Sequence, residues 1–273
     1  MSARAEAARI AKSLAAAGVP DSPFEAELLT RTAAGLSRPQ YFADAELTPS
    51  VRNRLDELAT SRAAREPFAY ITGHREFFGL DFAVSPDTLI PRPETELLVE
   101  VALEELRAAG GAIVADIGAG SGAIAVSVAV QVPDSTVIAV DVSPAALVVA
   151  RENTRRHGAA VHVVHGNLAK SLRCADVILA NLPYIPSPEI AALEPEVRDW
   201  EPRLALDGGE DGLDLVRALI ADCAERIRPR LLALEIGLGQ APEAARLGEQ
   251  RGARVEVLRD LAGIERVVCL RWR

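Results

Sequence analysis

Hydrophobic and polar positions change their rhythm near residue 65. Before that point apolar residues recur at helical spacing: Ile10 and Leu14, Phe24 and Leu28, then Val51, Leu55 and Leu58. Ser22 before Pro23 and Thr48 before Pro49 each set a hydroxyl acceptor ahead of a residue whose fixed φ suits the first helical position, so helices are predicted to start there. Residues 1–65 therefore read as a helical bundle, small enough that it buries little core alone. Residues 66–93 read as a hairpin linker, with Phe77, Phe78, Phe82 and Val84 gathered around Gly79 and Asp81 ahead of the Pro-bracketed LIPRPETE. From residue 94 to 273 the rhythm alternates. Strands are predicted near 112–116, 136–141, 160–165, 175–180, 230–236, 253–258 and 265–271, with helical stretches between most of them. That is the pattern of a doubly wound α/β sheet. Only LRDLAG separates the last two strands, too short for a crossover helix, so the final strand is expected to run antiparallel.

Composition narrows the class. The 273 residues are 49% hydrophobic and 25% charged, which describes a folded chain rather than a disordered or fibrous one. No apolar run approaches the roughly 18 residues of a membrane span, and Arg4, Glu6, Arg9 and Lys12 interrupt the N-terminal apolar positions. Membrane and secreted readings fall away. The net charge of -9 argues against a broad grip on nucleic-acid phosphates. Residues 1–80 carry 10 basic and 10 acidic side chains, so the acidic excess lies entirely beyond them. Cys174, Cys223 and Cys269 are scattered without C-x-x-C spacing, which suggests neither a disulfide frame nor zinc and fits a reducing cytoplasm. His74, His157, His162 and His165 show no metal-ligand spacing, and no metal site is expected; His157 before Gly158 reads as a favourable cation at a helix C-terminus.

Candidate chemistry begins where the first sheet strand, GAIVAD, runs into Ile117, Gly118, Ala119, Gly120, Ser121 and Gly122 and then into the helical AIAVSVAVQ. Glycines suit such a junction because the backbone must turn sharply and approach a ligand closely. Asp141 ends the next strand, 19 residues beyond Gly122, where a carboxylate can accept both hydroxyl hydrogens of a ribose, and Ser143 with Pro144 is expected to cap the helix that follows. A nucleoside ligand is expected. Gly118, Gly120 and Ala123 also satisfy the loose dinucleotide fingerprint, but Asp116 completes a D-x-G-x-G-x-G pattern that resembles motif I of class I S-adenosylmethionine methyltransferases. Seven strands with a late antiparallel member are similar to that family too. After the third strand come Gly166, Asn167 and Leu168; in such enzymes an acid here accepts from the adenine amino group and the next backbone N-H meets the ring. Asn167 departs from the acid, although its amide oxygen still accepts.

The fourth strand ends at Asn181, Leu182, Pro183 and Tyr184. This tetrapeptide resembles the [NDS]-P-P-[YF] signature of methyltransferases that act on planar NH2 nitrogens, namely glutamine amides and the exocyclic amines of adenine or cytosine. The lone pair of such a nitrogen is delocalised, so it needs orienting more than it needs a base. The Asn181 oxygen and the carbonyl at position 182 are expected to accept its two N-H bonds, aiming the nitrogen along the S-CH3 axis, while Tyr184 offers a flat face and Pro183 stiffens the turn. Leu182 stands where that signature has its first proline; the carbonyl survives the change.

The resemblance narrows over EPFAYITGHREFFGLDFAVSPDTLIPRPETELLVE (66–100), NLPYIP (181–186), EPRLALDGGEDGLD (201–214) and LEIGLGQ (234–240). These stretches are similar to the release-factor glutamine methyltransferases, the HemK family, whereas the first 65 residues match mainly in length and helical character. What the resemblance implies is transfer of a methyl group from S-adenosylmethionine to N5 of the glutamine in the Gly-Gly-Gln loop of peptide chain release factors, modulating translation termination and leaving S-adenosylhomocysteine. It further implies that Gly118, Ala119, Gly120, Ser121, Gly122, Asp141, Asn167, Leu168 and Asn181 hold the donor, that Asn181, Leu182, Pro183 and Tyr184 hold the glutamine, and that the helical domain helps to dock a protein substrate. Leu168 replaces a residue that is aromatic in some relatives, so adenine stacking is expected to be weaker.

Arg92 is read either as shaping the substrate mouth or as pairing with Glu94 or Glu96 in the linker. The long, Pro-rich and acidic stretch 185–212 is read as a substrate-contacting lid, with disorder as the alternative. A monomer is expected, without direct nucleic-acid binding. Two rivals remain at this point. An adenine-N6 methyltransferase of ribosomal RNA or DNA shares N-L-P-Y, but typically carries a basic domain after the sheet, and this sequence ends just after its last predicted strand. A nucleoside-binding protein without catalysis would have no use for Asn181, Pro183 and Tyr184 at a strand end.

Overall fold

A computed structural model describes residues 1–107 and 111–272. In chain order the elements are α1 (Ala3–Ala16), α2 (Ser22–Ala34), α3 (Arg38–Phe42), α4 (Pro49–Ala63) and α5 (Phe68–Thr72), then β1 (His74–Phe77), β2 (Leu80–Ala83), α6 (Glu96–Arg107), β3 (Ile113–Ile117), α7 (Ala123–Gln131), β4 (Thr136–Asp141) and α8 (Pro144–Arg156). They continue as β5 (Val161–His165), β6 (Val177–Ala180), α9 (Pro195–Arg198), α10 (Asp214–Asp222), β7 (Leu231–Glu235), α11 (Ala241–Glu249), β8 (Arg254–Arg259) and β9 (Glu265–Arg271). Two compact units result: Met1–Gly73 with Glu194–Trp200, and His74–Leu193 with Glu201–Arg273.

The first unit is built by the apolar stripes seen in the sequence. Ile10, Leu14, Leu29, Leu55 and Tyr41 form its core, with Phe68 and Ile71 of α5 packed against them. That packing carries the unit past the expected boundary at residue 65, to Gly73, whose φ of 76° closes α5. Thr48 caps α4, accepting from the Val51 N-H at 3.4 Å. Ser22 does not cap α2. Asp21 takes the cap position in the left-handed region, and the Ser22 hydroxyl instead donates to the Val19 carbonyl at 2.5 Å. Residues 194–200 enter this unit through Glu196, which pairs with Arg62 at 2.9 Å and Arg65 at 2.6 Å; Arg62 also pairs with Glu25. The stretch 185–212 is thus neither a disordered loop nor one continuous lid, because ion pairs claim its middle for the helical unit.

In the second unit, β1 and β2 form the expected hairpin, turning through Phe78 and Gly79 at φ 52° and 73°, the positive pair of a tight two-residue turn. Each of the seven expected strands is present within two residues of its reading. Their order is β5-β4-β3-β6-β7-β9-β8, all parallel except β9, which runs antiparallel to both β7 and β8. Successive residues alternate between two cores. Val114, Val177, Leu179, Leu231 and Ala233 face one layer of helices, and Ala115, Ile178, Ala180, Leu232 and Leu234 face the other. Burial on both faces explains why the central strands read as unbroken apolar runs. The chain winds outward from β3 to β5, then returns to start β6 on the other side of β3, so the switch in winding direction lies between β3 and β6. Crevices beyond the carboxyl ends of strands open at such a switch.

Candidate active site

A cavity of about 330 Å³ opens there, lined by the loops that follow β3, β4, β5 and β6, by residues 87–95 and by Pro202, Leu204 and Ala205. Of the residues singled out in the sequence, Gly118, Ala119, Gly120, Ser121, Asp141, Asn167, Leu168, Asn181, Leu182 and Pro183 all line it; Gly122 and Tyr184 do not.

One wall is a backbone cradle. Gly118, Gly120 and Gly122 have φ of 76°, 54° and 79°, so the alternating glycine spacing corresponds to alternating left-handed residues that a side chain would strain. A Cβ on Gly118 would lie 3.1 Å from the Leu182 side chain, and one on Gly122 would lie 3.3 Å from Ala150 of α8. Asp116 works beneath the loop, accepting from the Ala125 N-H in the first turn of α7 at 3.1 Å. Complete burial, together with the nearby Asp141 charge, pushes its carboxyl up to about 7, while the bond from Ala125 pulls the other way. The Asp141 carboxylate is pinned at both oxygens, accepting from the Gly120 N-H and the Ser143 N-H at 2.8 Å each. Ser143 caps α8 as expected, its hydroxyl accepting from Ala146 N-H at 3.2 Å. Leu168 holds φ 50°, a left-handed conformation uncommon for leucine, directly after Asn167.

The opposite wall is the tip of β6. The Asn181 amide donates through Nδ2 to the Thr95 hydroxyl at 3.0 Å, which leaves Oδ1 without a protein partner among the described residues. Leu182 is buried against Gly118, so the residue standing in for proline closes the gap between the two walls. Tyr184 is not among the residues that line the cavity. Its hydroxyl donates toward Glu235 at 3.5 Å, its ring edge meets Gly237, and its carbonyl accepts from Gln240 Nε2 at 2.8 Å. Burial and the neighbouring Glu235 push the phenol up to about 12. The D-G-G-E-D-G stretch clamps the same turn: a Cβ on Gly208 would stand 2.7 Å from the Pro183 carbonyl, and one on Gly212 would stand 2.1 Å from that of Tyr184.

Arg92 pairs with neither Glu94 nor Glu96. It lines the cavity and bonds Glu201 at 2.5 Å, across 109 residues of chain, which no linker reading anticipated. Burial raises the Glu201 carboxyl and the Arg92 charge opposes that rise. The expected lid stretch contributes Pro202, Leu204 and Ala205 to the wall, tied down by bonds from Ser187 N-H to the Gly209 carbonyl and from Gly208 N-H to that of Ile185. No cluster of metal-ligating side chains is present among the described residues. His157 ends α8, with its ring against Phe82 and a nitrogen 3.0 Å from the Asp81 carbonyl.

Residues 7–73 match the family described as the PrmC N-terminal domain, and residues 93–192 the methyltransferase small domain. The chain is 43% identical over 261 residues to the release factor glutamine methyltransferase of Geobacter sulfurreducens, spanning 93% of this chain and 91% of that protein. It is 46% identical over 262 residues to that of Moorella thermoacetica, spanning 93% and 92%. The chain belongs to the release factor glutamine methyltransferase family. Among solved structures, a methyltransferase from Pyrococcus furiosus superposes with a TM-score of 0.53 at 19% identity, covering 81% of this chain and 98% of that one. The hMettl16 catalytic domain superposes with a TM-score of 0.58 at 15% identity, covering 72% and 77%. These show the fold, that of class I S-adenosylmethionine-dependent methyltransferases. No helix among the described residues is long and apolar enough to cross a membrane.

Within this methyltransferase fold, pattern reading passed over Thr95, Glu201, Glu235 and Gln240. Glu235 carried a usable signal, since it is an acid at the end of a run, LLALE, that otherwise reads as a fully buried central strand. Thr95 carried none, because only the fold brings it to Asn181.

Proposed function

We propose that this protein transfers a methyl group from S-adenosylmethionine to N5 of the glutamine in the Gly-Gly-Gln loop of peptide chain release factors, and so acts on translation termination in the cytoplasm. The observation that carries the reading is the half-bonded Asn181 amide: Nδ2 is committed to Thr95, and Oδ1 is left to accept from a planar NH2 group. The opposite wall suits a nucleoside sulfonium. Its glycine backbone admits close approach, and Asp141 is held rigidly enough to meet two ribose hydroxyls. Bound there, S-adenosylmethionine supplies an electrophilic methyl on a positively charged sulfur.

The residues of this chain then bind the donor and orient the substrate. Gly118 to Gly122, Asp141, Asn167 and Leu168 hold the donor. Asn181 Oδ1 and the Leu182 carbonyl accept the two N-H bonds of the glutamine, which turns its weakly available lone pair toward the methyl. The amide nitrogen gains the methyl and releases one proton to water, so no residue is required to act as a strong base, and positioning supplies the lowering of the barrier. Tyr184 belongs to the frame of the turn, and the helical unit is assigned to docking of the release factor.

Transfer of tritium from labelled S-adenosylmethionine to a purified release factor, compared with its Gln→Ala variant in the Gly-Gly-Gln loop, tests this. Label on the wild-type factor alone is the expected result. Label on the variant, or on RNA alone, overturns it.

A further inference from the structure

Asn181 can orient a substrate only if its amide is held with the oxygen outward, and a carboxamide rotated by half a turn would present two donors to a group that is itself a donor. What prevents that rotation lies outside the four-residue motif. Asn181 follows β6 and Glu235 ends β7, one step beyond the paired residues Ala180 and Leu234, so the two meet side by side at the tip of the sheet. Thr95, on the turn that leads into α6, reaches the same point and is 5% exposed. Its oxygen accepts from Asn181 Nδ2 at 3.0 Å. The Thr95 hydroxyl hydrogen is therefore free for another acceptor, and the neighbouring Glu235 offers a buried Oε2 that has no other hydrogen-bond partner among the described residues. Glu235 is 1% exposed, forms no ion pair within 4 Å among the described residues, and also accepts from the Tyr184 hydroxyl. Burying an acid in this way is costly and contributes nothing obvious to packing.

Resting on the functional reading above, we propose that Thr95 and Glu235 are positioning residues that fix the polarity of a hydrogen-bond relay, Asn181 Nδ2-H to Thr95 Oγ1-H to Glu235, and thereby keep Asn181 Oδ1 facing the substrate. The relay has a direction because each member has one role it cannot exchange. A carboxylate only accepts, so the threonine hydroxyl donates to it and keeps its lone pairs for Asn181. Burial pushes the Glu235 carboxyl up to about 7, and the Thr95 hydroxyl, the Arg266 charge and the Tyr184 hydroxyl oppose that rise, so the same partners that form the relay favour the ionised form. Glutamine at position 235 would add an N-H donor facing Thr95, free the threonine hydrogen to point at Asn181, and favour the inverted amide.

The test uses the full chain with Thr95→Val, Thr95→Ser and Glu235→Gln. Methyl transfer to a release factor, S-adenosylhomocysteine binding by calorimetry, and the side-chain amide resonance of Asn181 in nitrogen-15 spectra are read for each. Thr95→Val is expected to lower kcat by about tenfold or more with donor-product Kd unchanged within about twofold, and to speed hydrogen exchange of the Asn181 amide relative to wild type. Thr95→Ser, which keeps the hydroxyl, restores both, and Glu235→Gln falls between. If Thr95→Val does not fold, the serine and glutamine variants decide the matter: serine at wild-type rate with glutamine impaired supports the relay, and both at wild-type rate overturns it. An unchanged rate and an unchanged Asn181 resonance in Thr95→Val also overturn it. A wild-type protein that leaves release factors unmethylated, with the Asn181 resonance still dependent on Thr95, sinks the functional reading and leaves the relay standing.

Discussion

The two walls of the cavity are assembled by opposite strategies. The glycine cradle is one continuous strand-turn-helix, Ile113 to Gln131, closed by a carboxylate from the adjacent strand, and its polar groups are mostly main chain. The β6 tip is a side-chain construction gathered from five stretches: Thr95, Asn181 to Tyr184, Gly208 to Gly212, Glu235 and Gln240. A main-chain wall tolerates sequence change wherever glycine is kept. A side-chain wall depends on every partner reaching the same point. The comparison implies that damage to one wall should appear in donor affinity and damage to the other in turnover.

Four substitutions sharpen or break that division. The largest effect is expected for Asn181→Ala, which removes the orienting acceptor: kcat should fall by about a hundredfold or more while S-adenosylhomocysteine binds within about twofold of wild type. Equal losses in both would mean that the walls are not separable. Gly212→Ala comes next. Its φ is 78°, and the added Cβ would press on the Tyr184 carbonyl and on Gln240, displacing the turn from behind; roughly tenfold lower kcat with little change in donor affinity is the expected result, read in the same assay. Asp141→Ala should do the reverse, raising the donor KM by about tenfold while kcat at saturation stays near wild type. An unchanged KM would remove Asp141 from the donor site.

The smallest effect concerns stability and pH. Burial raises both Glu235 and Asp116 to about 7 in the folded protein, above their ordinary values, so the native state holds these protons more tightly than the unfolded chain. Stability from this source is complete below the ordinary carboxyl range and declines as pH rises toward 7. Glu235→Gln removes one of the two contributions. Thermal midpoints between pH 5 and pH 8 should therefore fall less steeply in the variant, and a variant curve parallel to wild type would place the Glu235 carboxyl in its ordinary range.

The same contrast decides what could be read from the sequence. Strands of the central sheet were legible because burial on both faces leaves unbroken apolar runs, and the cradle was legible because its glycines, Asp116 and Asp141 fall at fixed spacing along a single strand-turn-helix-strand passage. Thr48 and Ser143 were legible as caps for the same local reason, whereas Ser22 was misread because Asp21, in a left-handed turn, takes the cap position. Arg92 was read as shaping the substrate mouth or as pairing with Glu94 or Glu96, and its partner Glu201 was missed because nothing local announces an acid 109 residues away. Residues 194–200 read as part of a lid because their ion pairs with Arg62 and Arg65 are equally remote in sequence. The family resemblance named the tetrapeptide Asn181 to Tyr184 but not what holds it, including the Glu235 carboxyl that accepts from the Tyr184 hydroxyl.

The central claim is that the tip of β6 presents an acceptor to a flat amide across from a sulfonium. A crystal structure with S-adenosylhomocysteine and a Gly-Gly-Gln peptide tests it most directly. The glutamine nitrogen is expected to lie within hydrogen-bond distance of both Asn181 Oδ1 and the Leu182 carbonyl, with the cofactor sulfur on its open face. A glutamine bound elsewhere, or a cofactor whose sulfur points away from Asn181, would contradict it.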